Sequence, residues 1–168
     1  HSFQINFRFL NMQLAVLQFR DGEQAALCMI FDYSFHCDEK PEEQLELYID
    51  NFQDEKEKCI SDELRNDKYF TKVYFGVISN IPEIDEMIEK CSKKWNVARI
   101  SRVSKSIMRL ALYEIMYMDD IPEEVSINEA VELAKKFDND DSFSFVNGIL
   151  GAAVREIAKN KSAQADVQ

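Results

Sequence analysis

The sequence predicts an all-α fold, and three observations carry that prediction. Only four glycines and three prolines punctuate 168 residues, too few for the turns that a hairpin-rich protein needs. Glu, Lys, Leu, Ala and Met, all good helix formers, are well represented. Apolar residues recur three and four apart along most of the chain, the period of one helix face. With 46% apolar and 30% charged residues, the chain is globular rather than disordered. Its length fits one domain or two small halves and supports a real core.

Taken in order, the first segment is the exception. Phe3, Ile5, Phe7 and Phe9 alternate with polar residues, the period of a strand. A lone strand has nothing to pair with, so 1–11 is expected to be a tail or extension, 12–160 the helical domain and 161–168 a polar tail. From Met12 the pattern is helical, with Gly22 as a break. Ala25, Leu27, Cys28, Ile30, Phe31 and Phe35 form a surface broad enough for a buried helix. A turn at Asp38–Pro41 follows, with Pro41 suited to a first helical position. Leu45, Tyr48, Ile49 and Phe52 make the next amphipathic face, and the charged run Asp54–Lys58 reads as solvated surface. Ser61-Asp-Glu-Leu is a start signal, and Tyr69, Phe70, Val73, Tyr74 and Val77 form the third face.

Pro82 cannot sit comfortably inside a helix, so a new one begins near Asn80, with Ile84, Met87 and Ile88 on its face. Trp95, near its end, reads as core rather than as a base-stacking platform. Ser101 or Ser104 caps the following helix, whose interior holds Ile107, Leu110, Ala111 and Ile115. Asp119–Pro122 is a turn. Ser126-Ile-Asn-Glu129 has the form of a capping box, with Ile127, Ala130, Val131 and Ala134 behind it. Asp138–Ser142 is a loop ending at a cap. The last helix carries Phe145, Val146, Ile149, Leu150, Ala153, Val154 and Ile157, and the chain is expected to fray after Asn160. The count is about seven helices without a repeat, a helical bundle.

Several function classes find little support. No apolar run approaches the ~20 residues of a membrane-spanning helix. The start of the chain lacks the pattern of a secretory signal, and Cys28, Cys37, Cys59 and Cys91 are widely spaced without a CxxC pair; both fit a reducing cytoplasm. With His1 and His36 as the only histidines, no zinc-ligand cluster and no cofactor site is expected. His36-Cys37 reads as a pair of solvent-edge residues at a helix end, against the alternative of a ligand pair or reactive thiol. Gly-rich phosphate loops, GxSxG and HExxH are all missing. A hydrolase using paired carboxylates has only abundant Asp and Glu behind it, so no enzyme is expected.

The better signal is a basic strip. Lys90 to Tyr113 contains no Asp or Glu in a chain of net charge −11, yet holds Lys90, Lys93, Lys94, Arg99, Arg102, Lys105 and Arg109. On a helix starting near Ser101, Arg102, Lys105 and Arg109 share one face. Such a row can follow a nucleic-acid backbone by displacing counterions. The competing reading is that these cations pair with the acidic remainder of the chain. The overall acidity argues for a local RNA contact and against broad binding to duplex DNA.

From Trp95 onward the sequence resembles the bacterial transcription antitermination family NusB. The resemblance rests on Met108-Arg-Leu-Ala-Leu-Tyr-Glu114, Asp120-Ile-Pro122, Val125-Ser-Ile-Asn-Glu-Ala-Val-Glu-Leu-Ala-Lys135 and Phe145-Val-Asn-Gly148, in that order and spacing. It extends more loosely back to Gln24, where Gln44-Leu-Glu-Leu-Tyr48, after Phe31 and Phe35-His36, looks like the Firmicute branch. It implies an all-α fold of two packed three-helix bundles. It also implies binding of boxA-type RNA from ribosomal RNA leaders together with NusE, the small-subunit ribosomal protein, in an RNA polymerase antitermination complex. Family members occur as monomers and as homodimers.

Carried over residue by residue, the resemblance implies that Phe145 lies against RNA, with core burial as its alternative. Asp141 stands at an acidic loop position near the RNA, though it also suits a helix cap. Lys105 and Arg109 match basic positions, beside Arg102 of the same face. Phe31 falls where an aromatic meets NusE, again with burial as the alternative. Ser104 replaces an Asp or Glu that contacts NusE. The largest departure is Gln18-Phe-Arg-Asp-Gly-Glu23, where the family has an arginine-rich run and only Arg20 remains. Losing about three cations weakens and flattens the salt-dependent grip. A second expectation follows: a NusB-fold interaction module that contacts NusE without binding RNA directly.

Overall fold

A computed structural model describes residues 22–50, 62–95, 100–139 and 141–165 of the chain. The alternating segment 1–11, Arg20, Phe52, the run Asp54–Lys58, Ser61 and Arg99 lie outside these residues. All regular structure among the described residues is helical. The chain divides between Ile78 and Ser79 into two units.

The first unit holds α1 (Gly22–Tyr33), α2 (Pro41–Asp50), a short helical stretch over 62–66 and α3 (Lys68–Ser79). Ala25 to Phe31 of α1 are all buried, so this helix is apolar almost all round. Pro41 opens α2, where its missing N–H costs nothing. Leu45, Tyr48 and Ile49 of α2 are buried, as are Phe70, Val73, Tyr74 and Val77 of α3. The Tyr74 hydroxyl donates to the Pro41 carbonyl at 3.2 Å, which ties α3 to the start of α2. Asp67 caps α3: its Oδ1 accepts from the backbone N–H of Tyr69 at 2.9 Å and of Phe70 at 3.1 Å. A Cβ on Gly22 would drive into that same carboxylate, so α1 begins on a residue without a side chain.

The second unit holds α4 (Ile81–Cys91), α5 (Arg102–Tyr117), α6 (Glu123–Phe137) and α7 (Ser142–Ala165). It thus has four helices among the described residues, where the resemblance implies a bundle of three. Helix α5 is the centre: it packs on α4, α6 and α7, and Ser106 to Ile115 are all buried. Helices α6 and α7 also pack on each other, and α4 lies against α7. Ser101 caps α5 by accepting from the Ser104 N–H at 2.9 Å.

Three expectations are corrected in this unit. Helix α6 starts at Glu123 behind the extended Pro122, not at a Ser126 capping box. Pro122 fixes the entry, and Glu123 and Glu124 place charge in the first turn, where the helix dipole favours it. Ser126 lies one turn in, buried, and its hydroxyl finds no hydrogen-bond partner among the described residues. Helix α7 continues past Asn160 to Ala165, although its last residues are exposed. Trp95 is 40% exposed rather than core.

Candidate nucleic-acid interface

Two cations of the strip's second half, Lys105 and Arg109, are committed to an ion pair inside their own unit. Arg109 on α5 is buried and grips Asp85 of α4 with both ends of its guanidinium, Nε to Oδ1 at 2.8 Å and Nη2 to Oδ2 at 2.7 Å. Lys105 reaches the same carboxylate at 3.3 Å. Burial alone would raise the Asp85 pKa. The hydrogen bonds and charges of Arg109, joined by Lys105, outweigh burial and hold it below the ordinary carboxylate value. Lys90 is paired with Glu156 of α7 at 2.6 Å, and that hydrogen bond lowers the glutamate. The spacing that put Arg102, Lys105 and Arg109 on one face was sound, but it did not show the acid standing opposite. Arg102 is exposed at the start of α5, and its backbone carbonyl accepts from the Ser106 hydroxyl at 2.8 Å.

Ser104 is fully buried, and its hydroxyl, like that of Ser101, donates to Asp138 Oδ2 at the end of α6. It joins the start of α5 to the end of α6. Phe31 is likewise buried at 6% exposure, edge-on to Phe35 with ring centroids 5.1 Å apart. Burial, the alternative reading of Phe31, is what the structure has.

A different group of residues stands open to solvent. The turn after α4 presents Lys93, Lys94 and Trp95, all exposed. The Trp95 indole lies across the early part of α7, with its ring centroid 6.3 Å from that of half-buried Phe145 and the planes inclined by 54°. Gly148, one turn on, makes room: a Cβ there would stand 2.9 Å from Trp95 Cζ2. Phe143 is 38% exposed, with the Lys135 ammonium 5.5 Å from its ring centre. Asp141 is exposed just before α7, its N–H directed at Asn139 Oδ1. The structure therefore brings Asp141 and Phe145 to the start of α7, and adds Trp95, which the sequence reading assigned to the core. An apolar residue beside Lys93-Lys94 in a segment poor in periodic partners was the available signal.

Other chemistries gain nothing. Among the described residues no group of three His, Cys, Asp or Glu is placed to hold a metal ion, and Glu114 is the single fully buried carboxylate. His36 and Cys37 are exposed at the end of α1, and burial pushes the Cys28 thiol well above its ordinary value. No described helix is long and apolar enough to cross a membrane.

An all-α protein of two helical units, with aromatic and cationic side chains gathered where α4 ends and α7 begins, is the class that fold and surface define. The NusB family model matches residues 23–155. Curated transcription antitermination proteins NusB are similar to the chain over most of its length. That of Natranaerobius thermophilus is 40% identical over 83% of this chain and 96% of its own. That of Acetivibrio thermocellus is 42% identical over 81% and 88%. Among solved structures, T. maritima NusB superposes with a TM-score of 0.63 at 35% identity, covering 82% of this chain and 90% of that one. NusB from Aquifex aeolicus shares the fold, with a TM-score of 0.66 at 22% identity over 84% and 90%. The chain belongs to the NusB family.

Proposed function

We propose that this chain is a transcription antitermination factor that binds boxA-type single-stranded RNA of ribosomal RNA leaders together with NusE. In this reading it joins an RNA polymerase antitermination complex in the cytoplasm and catalyses no reaction, and residues 12–160 form the working domain. The observation that carries the reading is family membership joined to half-buried Phe145 at the start of α7, with exposed Trp95 beside it. The electrostatics differ from the simple basic strip: Lys105 and Arg109 serve the fold through Asp85, and Arg102 remains exposed.

The test is a titration of a boxA-type oligoribonucleotide against salt, with NusE present and absent. Saturable binding that strengthens with NusE and weakens with salt is expected. Absence of RNA binding in both arms, with NusE still bound, supports the second reading, an interaction module that has lost direct RNA contact. The pairing of Lys90, Lys105 and Arg109 with Glu156 and Asp85 favours that second reading. Sedimentation of the chain alone distinguishes monomer from homodimer.

A further inference from the structure

We propose that Trp95, with Lys93 and Lys94 beside it and Phe145 next to it, forms a base-stacking platform that takes an unpaired RNA base and its flanking phosphates. The inference rests on the RNA-binding reading above and assigns the contact to residues that lie off the α5 face.

Three observations carry it. A tryptophan at 40% exposure leaves much of a large apolar ring in water, an unfavourable arrangement for a residue whose burial normally stabilises a fold. The indole is nevertheless held in place: Gly148 leaves the space it occupies, and Phe145 abuts it. A fixed, half-open aromatic surface is what a splayed base stacks on, because every base offers a π-face of the right size. The cations point the same way. Lys90, Lys105 and Arg109 are paired with carboxylates. Lys93 and Lys94 are exposed and close no salt bridge among the described residues; Lys93 only adds a through-space charge at Glu156. Two exposed lysines that close no salt bridge among the described residues, directly before the ring in sequence, suit the phosphates on either side of a stacked base. A protein partner of the same surface would need acidic groups, whereas single-stranded RNA supplies both the anions and the rings.

Trp95 is the only tryptophan in the chain, so its emission reports on this surface alone. The experiment titrates the full chain with a boxA-type oligoribonucleotide, following indole emission and, separately, the anisotropy of end-labelled RNA, with and without NusE. Saturable quenching is expected at the same RNA concentration as the anisotropy change. Trp95→Ala is expected to weaken binding by about fivefold to a hundredfold, the range for losing one stacked base, while Trp95→Phe retains most of the affinity. Lys93→Gln with Lys94→Gln should lower the slope of log K against log salt by about 0.7 per lysine. Gly148→Ala guards against a mere folding defect. It keeps α7 helical and displaces the indole, so it should weaken RNA binding without lowering the thermal midpoint.

Each contrary outcome is distinct. RNA that binds Trp95→Ala within twofold of wild type, with wild-type emission unchanged, overturns the platform and leaves the RNA reading standing. Emission that changes with NusE alone and not with RNA overturns RNA as the occupant. Loss of RNA binding by the wild type in every arm overturns the functional reading and the platform together.

Discussion

Arg109 shows how a single carboxylate reassigns a cation. Its spacing from Lys105 put both on one helix face, but Asp85 stands 24 residues upstream, and helical period says nothing of what lies across from a face. Removing one partner of a buried ion pair costs about 3–5 kcal/mol. Asp85 is partly exposed and keeps Lys105, so Arg109→Met is expected to lose about 3 kcal/mol in urea unfolding, at the low end of that range. The pH dependence has a definite sign. The folded-state pKa of Asp85 is depressed, so as pH falls the unfolded chain takes up its proton first. The stabilisation is complete above the unfolded value of ~3.9 and is lost as pH falls through the folded one. Asp85→Asn should therefore be less stable than wild type at neutral pH and approach it below about pH 4. A gap that stays constant down to pH 3 would rule out the ion pair as its source. Phe31 and Ser104 are buried for a related reason: an aromatic on an apolar face, or a serine within reach of a distant aspartate, has two physical readings, and burial is set only in the third dimension.

At the scale of elements, the sequence was most legible where proline acts. Pro41 opened α2, and Pro82 marked the break between α3 and α4, because a missing N–H and a fixed φ leave few other placements. It misled at Ser126, where serine followed by glutamate three residues on satisfies a pattern that Pro122 had already made unnecessary. The two readings of Ser126 differ in sign. A capping serine replaced by alanine costs about 0.5–2 kcal/mol. A buried hydroxyl without a partner carries a desolvation cost of about 1–3 kcal/mol. Ser126→Ala is accordingly expected to leave stability unchanged or raise it by up to about 1 kcal/mol, and a loss of that size in urea unfolding would restore the capping role. The Gly22–Asp67 contact couples the start of α1 to the start of α3 without any local sequence sign, since the cap lies 45 positions away in the chain. Gly22→Ala should push the Asp67 carboxylate off the Tyr69 and Phe70 amides at a cost of about 1 kcal/mol. Combined with Asp67→Ala it should cost clearly less than the two single changes together, because the cap can be lost only once. Strict additivity would separate the two residues.

For the whole molecule, composition and period were sufficient for the all-α class, because helix propensity and apolar spacing agree along nearly the entire described chain. The working surface was less legible, because it depends on which charges cancel. Arg65 is taken up by Glu46 and Asp50, Lys90 by Glu156, Lys105 and Arg109 by Asp85, and Lys135 by Glu132. With so many cations paired and a net charge of −11, the net field that reaches an approaching strand before salt screens it, over roughly one Debye length or about 10 Å in 0.1 M salt, is negative and repels RNA. At contact Lys93 and Lys94, which close no salt bridge among the described residues, attract it. Association and equilibrium should therefore respond to salt in opposite ways. As salt rises from about 0.05 to 0.2 M, affinity should fall through loss of counterion release. The association rate should stay level or increase as the long-range repulsion is screened, near the ~10⁵–10⁷ M⁻¹s⁻¹ of unsteered encounters. The dissociation rate must then carry the whole loss of affinity and a little more. Stopped-flow recording of Trp95 emission on mixing with boxA-type RNA reads both rates. An association rate that instead climbs towards ~10⁸ M⁻¹s⁻¹ as salt is lowered would mean that the local cations outweigh the acidity of the chain at every distance.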